Sequence, residues 1–227
     1  MNEGKNIEAT FCFVDIAGYT ALTDSHGEVA AADLIDEFSE LIRLSIKPPG
    51  EIHELIGDCA FLVFPDPIVA NDTLSALYKV IANRASFPVV RAGLHHGRAF
   101  FRENRYFGST VNLAARVAAQ AKGGQILGTK HIVDIISQAG RSDIEVEPQG
   151  LVSLKNLPQA VDLYEIVLSG FTHEYAIDPV CKMQVDKRQA VGELHFNGDK
   201  YWFCSLHCIE RFVKEPPTYV RMHSGKT

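Results

Sequence analysis

No stretch of this chain approaches the roughly 20 consecutive apolar residues that a membrane-spanning helix needs. Positive charge is not in excess: 22 Lys and Arg face 28 Asp and Glu, giving a net charge of −6 and a pI near 5.8. That balance excludes a general nucleic-acid or anionic-membrane surface, which requires a basic face. The opening residues, MNEGKNIEAT, hold neither a basic run nor an apolar core, so no secretory leader is readable. Internal repeats and low-complexity tracts are absent too. Cysteines are few and odd in number, five in all, which argues for metal or redox chemistry over a disulfide framework. The expectation is a cytoplasmic protein with neither a membrane nor a nucleic-acid partner.

What is present fits a folded chain with one ordinary domain and one small one: 227 residues, 46% hydrophobic and 22% charged. Alternating apolar residues from Glu8 to Ile16 predict a strand with Phe11 and Phe13 on one face. Leu34, Ile35, Phe38, Leu41 and Ile42 predict an amphipathic helix, stopped at Lys47-Pro48-Pro49-Gly50. Two short runs, Glu51 to Leu55 and Cys59 to Phe64, flank a Gly57-Asp58 turn. A helix over Pro67 to Arg84, a strand over Val89 to His96 and a hairpin-like Gly97 to Phe107 follow. Then come an alanine-rich helix (Thr110 to Ala121), a strand (Gln125 to Gly128), a helix (Thr129 to Ala139) and two strands within Ile144 to Leu168. This order predicts an α+β fold, a ferredoxin-like mixed sheet with helices packed on one face.

The polar, glycine-containing segment 169–174 reads as a linker, dividing 1–168 from 175–227. Beyond it, Ala190 to Phe196 and Lys200 to Phe203 flank Asn197-Gly198, a strong hairpin signal, and Leu206 to Glu215 reads as a helix before Pro216-Pro217.

Several residue types point to chemistry. Asp15 and Asp58 each end or turn an apolar strand, and two carboxylates on adjacent strands can close on a hard cation. Gly18 and Gly57 beside them permit close backbone approach to a phosphate. Asn112 and Arg116 lie four apart and so share one face of their helix. Cys181, Cys204 and Cys208 supply soft ligands, with 22 residues between the first two, whereas Cys12 and Cys59 read as small buried hydrophobes. His95 and His96 read as structural.

The segments FVDIAGYTAL, LIGDCAFLVF, VRAGLHHG, FGSTVNLAAR and LKN, in that order, make the region from about Ile7 to Leu168 similar to the class III adenylate and guanylate cyclases. The resemblance implies two Mg2+ or Mn2+ ions per active site on Asp15 and Asp58, with the Ile16 carbonyl and Gly18 in the metal- and phosphate-contacting turn. It implies that Asn112 orients the ribose, that Arg116 stabilises charge on the pentavalent phosphorus, and that Arg91 and Lys155 contact the β- and γ-phosphates. Asn156 stands where the family has glycine after that lysine. The product would be a 3′,5′-cyclic monophosphate with pyrophosphate, formed from a nucleoside triphosphate at two composite sites of a homodimer.

At the two base-reading positions stand Glu54 and Arg105. Glutamate accepts from an imide N–H and arginine donates to a carbonyl, which suits guanine, and also uracil, better than adenine. Bacterial members with irregular residues here often use ATP, so ATP, GTP and UTP stay open. A catalytically silent, metal-responsive binding protein is a further alternative.

The end of the chain, with DPVCKMQV and YWFCSLHC, resembles the small YHS metal-binding domain, a Cys-rich hairpin and helix akin to a treble clef. Thiolates there suit Zn2+ or Cu+. His207 and His195 are candidates for a fourth ligand, each reading equally as a surface histidine.

Overall fold

The computed structural model describes residues 4–168 and 175–220; the expected linker, 169–174, lies outside them. The apolar alternation near the start folds as β1 (Lys5–Ile16). A left-handed turn at Gly18 (φ 74°) then leads into α1 (Tyr19–His26) and α2 (Glu28–Ser45), which are separated at Gly27. A hairpin of β2 (Glu51–Ile56) and β3 (Cys59–Phe64) turns on Gly57, also left-handed at φ 56°, and Asp58. Helix α3 (Pro67–Ala82) begins where the sequence places its start. The Asp66 carboxylate accepts from the N–H groups of Ile68 and Val69 at 2.8 and 3.1 Å, and Pro67 occupies the first turn.

The remaining elements are β4 (Val90–Arg102), β5 (Arg105–Phe107), α4 (Ser109–Gln120), β6 (Ile126–Thr129), α5 (Lys130–Gln138), β7 (Ile144–Val152) and β8 (Val161–Leu168). The C-terminal part holds β9 (Ala176–Ile177), β10 (Gln184–Val185), β11 (Gly192–Phe196), β12 (Asp199–Phe203), α6 (Leu206–Lys214) and α7 (Pro216–Tyr219). No helix among the described residues is long and apolar enough to cross a membrane.

The main sheet runs β2-β3-β1-β4-β6-β8-β7, with β5 folded onto the end of β4. Its β4–β6 pair is parallel and the others antiparallel, so the sheet is mixed, as expected. Strand β4 is one long element where a strand and a separate hairpin were expected. Gly97 and Arg98 stay in register with Ala9 and Glu8 of β1, so pairing overrides the local break that glycine signals. The hairpin shrinks to a turn on Glu103 and Asn104, both left-handed.

The helices do not all lie on one face. Cys12, Val14 and Ile16 of β1 point into a core formed with α1, α2, α3 and α5, through Leu22, Phe38, Leu74 and Ile132. Ala9 and Phe11 point the other way and meet Ala114 of α4. The cause of that split is Gly93 on β4. A Cβ there would fall 2.0 Å from the Ala118 nitrogen and 2.3 Å from its Cα, so a bare backbone at 93 is what lets α4 lie against the sheet.

The C-terminal part shares the main core. Val180, Cys181, Met183, Phe203, Cys208 and Phe212 belong to the same apolar cluster as the helix-covered face of the sheet. Its backbone also pairs with the approach to β4. Val89 N–H donates to Lys182 O at 3.2 Å, Gln184 N–H to Phe87 O at 3.0 Å, and Ser86 N–H to Gln184 O at 2.8 Å. The buried Gln184 amide adds bonds to the carbonyls of Ile81 (2.9 Å) and Phe87 (3.2 Å).

Because the atoms facing Gly93 are backbone and cannot rotate away, Gly93→Ala should cost up to about 3 kcal/mol by overpacking. Thermal denaturation checks this: a large fall in Tm is expected, and an unchanged Tm contradicts the packing argument.

Candidate active site

Strand β1 delivers Asp15 at its end, in register with Cys59 on one side and Arg91 on the other. The β2–β3 turn delivers Asp58, whose carbonyl accepts from Ile16 N–H at 3.0 Å. The two carboxylates are therefore neighbours. Burial raises the Asp58 pKa above the usual carboxylate value, and the negative charge of Asp15 raises it further. Arg91 answers part of that charge: its Nε donates to Asp15 Oδ2 at 2.8 Å, and a second guanidinium nitrogen bonds to the same oxygen. Two carboxylates beside a backbone turn form an all-oxygen donor set, which fits Mg2+ or Mn2+ and not a soft metal.

Beyond Asp15 the chain turns through Ala17 and Gly18. Ala17 N–H is held by Val89 O at 2.9 Å, and the left-handed Gly18 opens α1. This turn lines an open cleft of about 550 Å³, with Arg91 and Lys122 on its walls. Cationic side chains and a helix start around such a cleft suit a polyphosphate. Two more of its wall residues come from the C-terminal part, Ile177 and Lys182. Nothing in the local sequence marks Lys182 for this place, because only the tertiary docking brings it there.

The other expected residues sit apart from this group. On α4, Thr110, Ala114, Val117 and Ala118 are buried against the sheet, and Asn112 and Arg116 lie on the outward side. Asn112 is exposed and Arg116 half-exposed, and within the chain neither bonds to Asp15 or Asp58. Lys155 is exposed on a turn that Leu154 anchors in a cluster with Val117 and Ala121 of the α4 end. Asn156 adopts the left-handed backbone (φ 61°) that a glycine would otherwise supply there. Glu54 is exposed on β2 opposite Phe61, and Arg105 is exposed at the start of β5. The hairpin that carries Arg105 folds towards β2, where the Tyr106 hydroxyl donates to Glu51 at 2.6 Å.

His95 and His96 are structural, as expected. His95 Nδ1 is 2.8 Å from the Thr129 hydroxyl and His96 Nδ1 is 2.9 Å from that of Thr10. Burial first, and neighbouring histidines second, depress the His95 pKa to about 4, so it is neutral at physiological pH.

The three C-terminal cysteines converge. Cys204 Sγ lies 3.3 Å from Cys181 Sγ and 3.8 Å from Cys208 Sγ. The fully buried Asp178 fixes two of their backbones, accepting from Cys181 N–H at 3.4 Å and Cys204 N–H at 2.9 Å. Neither His195 nor His207 joins them, since both are exposed. The imidazole that does is His26, the last residue of α1, with Nε2 3.3 Å from Cys204 Sγ. Sequence reading misses it because His26 and Cys204 are 178 residues apart.

Against known families, the adenylate and guanylate cyclase catalytic domain matches residues 2–167. This chain belongs to that family. A YHS domain matches residues 176–222 behind it. Among relatives, a pH-sensitive adenylate cyclase of Mycobacterium tuberculosis is 34% identical over 140 residues, covering 60% of this chain and 34% of the relative. An uncharacterised protein of Mycobacterium bovis is 30% identical, covering 68% of this chain and 40% of the relative. The matches thus span only about a third to two-fifths of these relatives' length. The fold is that of the adenylyl cyclase CyaB of P. aeruginosa (24% identity, TM-score 0.64, 74% of this chain and 97% of that one). An adenylate cyclase structure from Trypanosoma brucei is similar as well (22%, TM-score 0.66, 73% and 92%).

The crowded carboxylates of this cyclase-family chain give a signed prediction. An aspartate whose folded pKa exceeds its unfolded one costs stability once ionised, and that cost vanishes as pH falls through the folded pKa. Asp58→Asn should therefore raise the Tm of the metal-free protein at neutral pH, and the gain should shrink as the solution is acidified. The same variant should weaken Mn2+ binding at least about tenfold. Differential scanning fluorimetry and Mn2+ titration test the pair, and a lowered Tm at neutral pH contradicts it.

Proposed function

We propose that this protein is a homodimeric nucleotide cyclase, converting a nucleoside triphosphate, ATP or GTP, to the 3′,5′-cyclic monophosphate and pyrophosphate. We assign that reaction to residues 1–168, followed by a 169–174 linker and a metal-binding unit at 175–227, and place it in the cytoplasm, where nucleoside triphosphates are made. The observation that carries the reading is the division of the expected site. Asp15, Ile16 and Asp58 adjoin Arg91, which with Gly18 lines the cleft, whereas Asn112 and Arg116 face outward on α4. One chain holds both halves of a site that only a second copy can close.

The surface beside Asp15 supports such a partner. By strand alternation Asp15 shares its sheet face with Phe11 and Phe13. There Phe13 and Phe61 stack at 4.5 Å, and His53 meets Phe61 and Tyr106 edge-on at 4.9 and 4.8 Å. Phe13, His53 and Tyr106 are only half-buried in the single chain, an aromatic patch of the kind interfaces use.

When bound at Asp15 and Asp58, Mg2+ or Mn2+ supplies the acidity that readies the ribose 3′-hydroxyl and the charge that neutralises the departing pyrophosphate. Arg91, relieved of Asp15, turns to the β- and γ-phosphates, and Lys155 is the second cation assigned to them. The Ile16–Gly18 turn holds the triphosphate against backbone. From the partner, Asn112 orients the ribose and Arg116 places its planar fork on two phosphoryl oxygens as charge develops at phosphorus.

Base choice turns on Glu54 and Arg105. Adenylate cyclases among the relatives favour ATP, while an acceptor at Glu54 favours the imide N–H of guanine. Uracil offers the same N–H, so a uridylate cyclase is the second reading.

The test supplies Mn2+ and each of ATP, GTP, UTP and CTP and identifies the cyclic product. Asp58→Ala and Arg116→Ala should each lower kcat by about 10²–10³-fold. Mixed in equal amounts, the two inactive variants should recover about a quarter of native activity, since half the dimers are mixed and each has one intact site of two. No cyclic product from any triphosphate, or no recovery on mixing variants that do form dimers, sinks the proposal.

A further inference from the structure

The three thiols and one imidazole come from both parts of the chain. His26 ends α1, the helix that Gly18 opens at the phosphate turn. Cys181, Cys204 and Cys208 belong to the C-terminal part, and all four donor atoms lie within 4.8 Å of one another. In a tetrahedron with Zn–S near 2.3 Å and Zn–N near 2.0 Å, adjacent donors stand about 3.8 Å (S to S) and about 3.5 Å (S to N) apart. The observed separations around Cys204 are 3.3 and 3.8 Å to sulfur and 3.3 Å to nitrogen. The donor set therefore fits a closed soft-metal site, and its loops are already fixed. Asp178 holds the Cys181 and Cys204 backbones, and the Ser205 hydroxyl accepts from Cys208 N–H at 3.2 Å.

We propose that His26, Cys181, Cys204 and Cys208 bind one soft cation of the zinc class, and that this ion locks the C-terminal unit onto the cyclase domain at its triphosphate cleft. The ligand set stands on its own geometry; the coupling rests on the cyclase reading above.

The route of that coupling is short. Lys182 follows Cys181, and its stem packs on the phosphate turn so closely that a Cβ on Gly18 would lie 2.9 Å from Lys182 Cγ. Lys182 O accepts from Val89 N–H, and Val89 O accepts from Ala17 N–H. From the other ligand, α1 runs back from His26 to Gly18. Arg211 of α6 reaches Asp24 of α1 at 3.3 Å and closes the same seam. With the ion in place, Lys182 stands on the wall of the cleft as a further cation for the triphosphate. Without it, that wall is held by backbone pairing, apolar contact, the Gln184 amide and the Arg211–Asp24 pair.

The experiment uses the full chain, stripped of metal and titrated with Co2+ under reducing conditions. One Co2+ per chain should bind, with the intense visible d–d bands of a tetrahedral site and thiolate charge-transfer absorption. His26→Ala should keep the charge-transfer absorption, alter the d–d bands and lose at least about tenfold in Co2+ affinity, and His26→Cys should restore tight binding. A spectrum and affinity unchanged in His26→Ala, or a wild-type chain that takes up no Co2+, overturns the ligand set.

For the coupling, affinity for a non-cyclisable triphosphate analogue with Mg2+ is compared before and after Zn2+ removal, and in Zn2+-loaded Lys182→Ala. Both changes should weaken binding about tenfold, the scale of one charge-assisted contact. Tight binding that ignores Zn2+ and Lys182 overturns the coupling alone. An analogue that binds in no form overturns it together with the cyclase reading, while the Co2+ result still decides the ligand set.

Discussion

Two carboxylates held side by side at the end of β1 and in the β2–β3 turn are the constraint around which this molecule is arranged. Burial, and after it the negative charge of Asp15, oppose ionisation of Asp58 and raise its pKa. Such a pair persists only where positive charge is supplied. In the single chain Arg91 supplies it, reaching across one strand register to Asp15. The arrangement stores a demand for cations at the spot where a triphosphate would bring them. In the proposed reaction Arg91 then follows the phosphates, so that one side chain would serve the resting and the loaded site in turn.

The second half of the proposed chemistry lies on α4, whose position depends on a missing side chain. Gly93 lets the helix backbone touch β4, and that contact sets the outward face bearing Asn112 and Arg116. These residues cannot serve the carboxylates of their own chain from there. The aromatic patch around Phe13 and Phe61 marks the same sheet face as Asp15. In the proposed homodimer, a two-fold pairing through that face would present each chain's α4 to the other's carboxylates and turn two incomplete halves into two complete sites.

Much of this was readable from residue order. Alternation located β1, the Gly57-Asp58 turn between apolar runs located the β2–β3 hairpin, and Pro67 marked the start of α3. Asn156, standing where the family has glycine, takes a left-handed backbone. The misses share a physical cause: they are consequences of pairing and packing between distant segments. Strand β4 runs through Gly97 because β1 pairs with it throughout. Helix α4 crosses to the opposite face because of space at Gly93, which periodicity does not reveal. Helix α1 buries only Leu22 and so leaves little amphipathic trace. His26 and Lys182 gain their places from the docking of the C-terminal part, whose core is continuous with that of the sheet. The histidines nearest the cysteines in sequence, His195 and His207, are both exposed.

The most direct test of the central claim counts the cations that the paired carboxylates hold. Free Mn2+ gives a sharp paramagnetic resonance signal that is lost on binding. In the presence of a non-cyclisable triphosphate analogue, about two Mn2+ ions per chain should leave the free pool, and Asp58→Ala should return them. Retention of none by the native protein, or equal retention after Asp58→Ala, contradicts the account.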